Sequence, residues 1–219
     1  MKTVQKIVND LLKESPFIQD GLAEGYINLS ALASKFKPQI EKISRKVVQK
    51  GSIVMAIKRH DTSLGTQMHE RKISNYISNL GDTIVRSNLV EYTFKNSETM
   101  LDKPLELLNV LKENTEAFYY TSKGLYETNI IVNSIISVDI ERIYKSETLI
   151  SSIKDLTSLT MRFPNDVLCI PGVFYFIFKK LAAKNVNIVE LISTSNEFTI
   201  VISKKNTSIA FQVLEDLKS

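Results

Sequence analysis

The chain has 219 residues, 43% of them hydrophobic and 24% charged, with a net charge of +4. That supply of apolar residues fills a core and excludes general disorder. One cysteine, Cys169, and two histidines, His60 and His69, exclude a disulfide framework and argue against a Cys- or His-built metal centre.

Val4, Ile7, Val8, Leu11 and Leu12 recur at helical spacing. The N-terminal segment therefore reads as a helix, stopped by Ser15 and Pro16, and not as a signal peptide. Asn28 caps a helix with Leu29, Leu32, Ala33 and Phe36 on one face. Pro38 suits the first turn of the next helix, with Ile40, Ile43 and Val47 on its apolar side. Gly51 ends that segment. Ser52 caps another helix, with Ile53, Val54 and Ile57 inward and Lys58 and Arg59 toward solvent. A polar helix is expected over 66–80, followed by Gly81, with a domain boundary near 81–86. No apolar run reaches the roughly 20 residues of a membrane span. A soluble, cytoplasmic protein without a membrane partner is expected.

From Asn88 the period changes. NLVEYTF reads as a strand, and 101–111 as a helix with Pro104 in its first turn and Leu105, Leu108 and Leu111 at suitable spacing. FYYTS, YETNIIVN and SVDIERIY read as strands, and 147–156 as a short helix. LTSLTMRF is again a strand, followed by a Pro-Gly turn and the helix FYFIFKKLAAKNV. The strands NIVELISTS and NEFTIVIS and the helix of NTSIAFQVLEDL close the order. Strand, helix, strand, strand, helix thus occurs twice, the first time as a poorer copy with a third strand before its last helix and on element order alone. The expected class is α+β: a helical domain over 1–82, then tandem ferredoxin-like βαββα units over 86–155 and 156–219. The pair would set its sheets side by side and bury their edges.

Several short motifs mark the last third. Ile170-Pro171-Gly172-Val173 follows its first strand. Ile177, Phe178 and Leu181-Ala182 lie in the helix, before Asn187-Ile188-Val189 and Ser193-Thr194-Ser195. Phe198, Ile200 and Ile202 alternate in the last strand. On these residues it resembles an ACT domain, a small-molecule sensing module, and in particular those at the regulatory end of aspartate kinases. It departs from that pattern at Asn185-Val186, where a glycine often stands. It departs again at Asn196-Glu197, where Glu usually follows Ser directly.

The resemblance implies an amino-acid effector between the first loop of one unit and a strand start of its neighbour. Asn165, Asp166, Ile170, Gly172, Val173, Asn187 and Ile188 would form that pocket. A helix N-terminus can hold the α-carboxylate, and Asp166 could pair with the ammonium group. The plain alternative is a Pro-Gly turn that only shapes the chain.

Residues 1–72 hold 13 Lys/Arg and 7 Asp/Glu, and the remainder 15 and 17. Within 35–59 eight basic residues face a single acid, Glu41. KGSIVMAIKRH resembles the recognition helix of winged-helix regulators, which makes the block helix-turn-helix-like. The resemblance implies DNA contacts by Lys46, Lys50, Ser52, Lys58, Arg59 and His60. The alternative is the basic face of a small helical bundle.

Cys169 reads as a small buried residue and not as a nucleophile. The chain has no Gly-rich phosphate loop, no G-x-G-x-x-G and no G-x-S-x-G elbow. The aspartate kinase likeness covers the regulatory part alone. No catalytic residue, cofactor or metal is expected. The reading is a non-enzymatic, homodimeric regulatory protein that senses an amino acid and transmits it to DNA. The competing reading is a protein-interaction or dimerisation module with a structural ACT pair.

Overall fold

The computed structural model describes residues 2–60, 73, 76–163 and 171–218. The chain divides into two compact units, 1–72 and 73–219.

The described part of the first unit is helical: α1 (Val4–Lys13), α2 (Pro16–Ala23), α3 (Leu29–Ser44) and α4 (Lys50–Arg59). Thr3 and Asn28 cap α1 and α3 by accepting from the N–H groups of Lys6 and Ala31, as their short oxygen-bearing side chains allow. Ile7, Val8, Leu11 and Leu12 of α1 meet Leu32, Ala33, Phe36 and Ile40 of α3 and Ile53, Ala56 and Ile57 of α4 in one core. Pro38 does not begin a helix. It lies inside the sixteen-residue α3, where Ser34 and Pro38 are both exposed. Solvent can take the Ser34 carbonyl that proline leaves without a donor, so the helix runs on.

The second unit carries β1 (Thr83–Lys95), α5 (Lys103–Glu113), β2 (Tyr119–Lys123), β3 (Glu127–Asn133) and α6 (Ser137–Ile143). They are followed by β4 (Leu149–Arg162), α7 (Val173–Ala183), β5 (Ile188–Ser193), β6 (Glu197–Ser203) and α8 (Thr207–Asp216). One six-stranded sheet runs in the order β2-β3-β1-β4-β6-β5, antiparallel at every pair. Of the expected helix over 66–80, Ile73, Tyr76 and Ile77 are helical, while 61–72 and 74–75 lie outside the described residues.

Two expectations fail here. SVDIERIY is the helix α6, because its buried Ile140 and Ile143 recur at helical spacing with Ile136 just before it. Residues 149–156 are strand, the first half of β4. Over 149–153 it pairs only with β1 and exposes Leu149, Ile150 and Ile153, so it lacks a strand's clean alternation.

The two halves match closely. Leu89 of β1 pairs with Asn133 of β3 as Leu156 of β4 pairs with Ser203 of β6. The N–H of Asn96 donates to the carbonyl of Tyr126, and that of Phe163 to Asn196, both at 2.8 Å. β1 and β4 each reach past their own half. Thr83–Arg86 pairs with the far end of β4, and Leu149–Ile153 with the far end of β1.

Asn88 and Asp155 interrupt these long strands with φ of 59° and 54°. In a flat sheet β3 and β5 would lie ~19 Å apart, four strand spacings. Here Asn129 Nδ2 of β3 donates to Glu190 Oε2 of β5 at 3.1 Å. The sheet therefore folds back on itself. Leu89, Ile131, Leu156 and Val201 are buried between its two faces, with Phe118, Tyr120, Val189 and Ile192 against them. The halves are side by side along β1 and β4 and also face to face. The helices cover the outer faces.

Candidate functional site

The sequence places one candidate site at the start of α7. Gly172 is its N-cap, exposed, with φ of 93°, a conformation that favours glycine. Among the described residues no side chain caps the helix, and its first turn holds no acidic residue. The N-terminal N–H groups thus carry their partial positive charge without a side-chain acceptor from the cap. Val173 is buried and packs with Ile177 and Leu181, so its side chain serves the core.

At the other end of α7 the N–H of Val186 donates to Leu181 and that of Asn185 to Ala182. This is a Schellman closure, with Asn185 in the left-handed position at φ 55°. Asparagine does here what the missing glycine would do. The closure turns the chain into β5, leaving Asn187 exposed and Ile188 half-buried against the core. Gly172 thus stands at one end of α7, and Asn187 and Ile188 follow its other end. Asn165, Asp166 and Ile170 lie outside the described residues, as does Cys169.

In the first half the corresponding loop is closed by the chain itself. Ser97 Oγ and Thr99 Oγ1 donate to the Glu147 carboxylate at 2.5 and 2.7 Å. The N–H of Met100 donates to Ser97 Oγ at 3.2 Å. These bonds hold the Glu147 carboxyl below its usual range. Sequence spacing gives no hint of this link between residues fifty apart.

A second feature absent from the sequence reading lies between the two sheet faces. Glu91 is 5% exposed, and its Oε2 has no hydrogen-bond partner among the described residues. Burial, and then the charge of Glu190, push its carboxyl up to about 6. Its position in the repeat is that of Ser158, whose buried Oγ likewise has no partner among the described residues. Its neighbours along the sheet are Ile131 and Ile153, which accounts for the desolvation.

The other candidate surface is on α4. Lys50, Ser52, Lys58 and Arg59 are exposed along it, and Lys46 is exposed in the turn before it. Arg45 ends α3 in the left-handed conformation, and the N–H of Val48 donates to Glu41 Oε1 at 2.9 Å. The one acid of this stretch is thereby used to fix the turn between α3 and α4, and the outward charge is basic. His60 is different. It is half-buried, and its Nδ1 lies 2.9 Å from Asn9 Oδ1, tying the end of α4 to α1. Gln5 Nε2 reinforces the tie by donating to the carbonyl of Ala56 at 2.8 Å.

Among the described residues no group of three or more His, Cys, Asp or Glu side chains could hold a metal ion. Among them no helix is long and apolar enough to cross a membrane.

No family model matches the chain. No curated protein matches it either. Solved structures do. An aspartate kinase from Clostridium acetobutylicum, described as an allosteric enzyme, is similar with a TM-score of 0.52 and 13% identity, over 64% of this chain and 35% of that one. The ligand-free regulatory subunit of aspartate kinase from Thermus thermophilus gives a TM-score of 0.50 and 8% identity, over 63% of this chain and 97% of that one. The aspartokinase alpha and beta subunits give 0.50 and 14%, over 63% and 97%. At such identities the likeness is one of fold, to a whole regulatory subunit and to about a third of the full kinase.

Proposed function

We propose that this chain is a non-catalytic regulatory protein in which a pair of ACT-like units senses a small molecule and an N-terminal helical domain delivers the response. The observation that carries the reading is the second unit's doubled strand-helix-strand-strand-helix order in one sheet, together with its fold-level likeness to the regulatory subunit of an aspartate kinase. Each half becomes a four-stranded ferredoxin-like unit once the far end of the other half's long strand is counted.

The effector in this reading is an amino acid. Its carboxylate meets the α7 N-terminus beside Gly172 and the loop containing Asn165, Asp166 and Ile170, and its remaining groups meet Asn187 and Ile188 at the strand start of a neighbouring unit in a second copy. Binding shifts the population of two arrangements, and the helical domain changes its affinity for DNA through Lys46, Lys50, Ser52, Lys58 and Arg59. The test is a thermal-shift screen of the purified chain against the proteinogenic amino acids, followed by DNA binding with and without any that act. A flat screen at millimolar concentration removes the sensing reading.

A second reading is favoured by the free strand edges. The outer edge of β4 over 149–154 and that of β1 over 83–86 pair with nothing among the described residues, and Ile84, Val85, Leu149, Ile150 and Ile153 are exposed there. Such edges suit addition of a strand from a second copy. On this reading the ACT pair is a dimerisation platform, and sedimentation shows a stable dimer without any effector.

A further inference from the structure

The spacing of Leu105, Leu108 and Leu111 is that of a buried helix face, yet α5 turns another side to the core. Its buried residue is Leu107, which shares a core with Met100, Ile140 and Ile143, with Val110 and Leu111 half-buried against it. At about 100° per residue, Leu105 lies about 160° and Leu108 about 100° round the helix from Leu107. Leu105 is accordingly 71% exposed and Leu108 45%, and Leu101, in the 3-10 turn just before the helix, is 65% exposed. Steps of four and three residues set the three leucines in one stripe along the outer side of α5. Ile135 and Val138, also exposed, add apolar surface at the start of α6, which packs beside α5.

Opposite charges bound the stripe. Asp102 stands at its start as the N-cap of α5, and its side chain makes no capping bond. Lys112 stands at its end, one helical turn past Leu108. Both are exposed, and neither side chain has an ion pair or hydrogen bond among the described residues. Lys103 does not serve Asp102, because it pairs with Glu106 at 3.8 Å. Asp102 and Lys112 stand about 15 Å apart along the helix, too far to meet within one chain.

We infer that the outer side of α5 is an interface with a second copy of this chain, in which the two α5 helices pack antiparallel. A twofold axis level with Glu106 and Leu107 sets Leu105 against Leu108 of the second copy and Asp102 against Lys112 of the second copy, and symmetry repeats each contact. The leucines form the apolar centre of such a contact and the two charge pairs its polar rim. Charge decides the occupant. A partner surface of one sign leaves Asp102 or Lys112 against its own kind, whereas a reversed copy offers each its opposite. A stable interface takes roughly 800 Å² from each partner, more than three leucines expose, and Ile135 and Val138 bring the neighbouring helix into it. The inference stands apart from the sensing reading. It gives the dimerisation reading a contact through helices in place of the free edges of β1 and β4.

The experiment is sedimentation velocity of the full chain over a concentration series reaching about 100 μM. It is repeated on Leu105→Glu, Asp102→Lys, Lys112→Glu, the double variant Asp102→Lys/Lys112→Glu, and Ile150→Lys on the free edge of β4. All are exposed positions, and circular dichroism checks the fold of each variant. A dimer is expected, weakened about tenfold or more by Leu105→Glu and about fivefold by each single charge reversal. The double variant should regain the affinity of the parent, because each reversed charge again meets its opposite in the second copy. Ile150→Lys should leave the dimer intact. A chain that stays monomeric throughout the series overturns the inference, since the stripe then belongs to a different partner. A double variant no tighter than the single ones overturns the antiparallel pairing. A dimer lost in Ile150→Lys and kept in Leu105→Glu also overturns it, and leaves the strand-edge reading standing.

Discussion

Leu89 and Leu156 face each other as direct partners across β1 and β4, both buried, at the centre of the doubled sheet. Each follows a residue with left-handed φ, Asn88 before one and Asp155 before the other. The register slips on either side of this pair. Two long antiparallel strands thus turn sharply at matching points, and the turn lets β3 reach β5. The fold-back is a backbone decision made by two short polar residues that tolerate this conformation.

Replacing Asp155 with valine should therefore destabilise the second unit. A β-branched residue in the left-handed region costs ~1–2 kcal/mol. Asp155→Gly should be neutral or slightly stabilising. Urea denaturation of the full chain checks the pair. Equal stability of the valine and glycine variants would show that the strand is not held in that conformation. Asn88 is a less clean test, because Lys204 Nζ donates to its Oδ1 at 3.0 Å.

Glu91 gives the chain a pH-dependent stability. Its folded carboxyl sits at about 6, above its ordinary 4.5, so the folded state holds the proton more tightly than the unfolded one. A raised acid weakens the fold above its folded pKa, and the penalty vanishes as pH falls toward the unfolded value. A shift of that size corresponds to ~2 kcal/mol at most. Glu91→Gln should raise stability by up to that amount well above pH 6, and the gain should fade toward pH 4.5. Denaturation curves of both proteins across that window decide it. A gain that does not vary with pH would mean that Gln helps by packing alone.

Much of the second unit is legible because its cues are local. The alternation of Phe198, Ile200 and Ile202 marks β6, and Asn185 marks the end of α7. The misread elements are those whose burial is set by distant partners. Leu149, Ile150 and Ile153 mimic a helical stripe because half of β4 runs along a free edge, with a slip at Asp155. Val138 and Ile140 mimic a strand, but Val138 is exposed and the inward row is Ile136, Ile140 and Ile143. Of the candidate site residues, Val173 is taken by the core and His60 by Asn9, both through tertiary contacts that no spacing announces. Glu91 reads as an ordinary polar residue of an alternating strand until the fold-back covers its face.

Glu147 should act as a clasp on the loop between β1 and α5. Its carboxyl lies below the usual range because Ser97 and Thr99 donate to it. For a depressed acid the stabilisation is present above the unfolded pKa and is lost as pH falls through the folded one. Glu147→Ala should speed amide exchange at Met100, whose N–H depends on Ser97 Oγ, while exchange in β3 and β6 stays slow. Unchanged protection at Met100 would mean that the loop is held by something other than this carboxylate.

The basic face of α4 predicts how nucleic-acid binding should respond to salt. Each phosphate contact contributes a slope of about −0.9 to log K against log salt. Lys58→Ala and Arg59→Ala should each flatten that slope by about one contact's share and weaken binding to duplexes of any sequence alike. His60→Ala should behave differently. Its ring is half-buried beside Asn9, so the loss should appear in the stability of the helical unit, with the slope kept. Fluorescence anisotropy with a mixed-sequence duplex at several salt concentrations separates these outcomes. A wild-type chain with no salt-dependent binding would assign the α4 face to a protein partner, and a slope change confined to His60→Ala would move the contact to the α1–α4 junction.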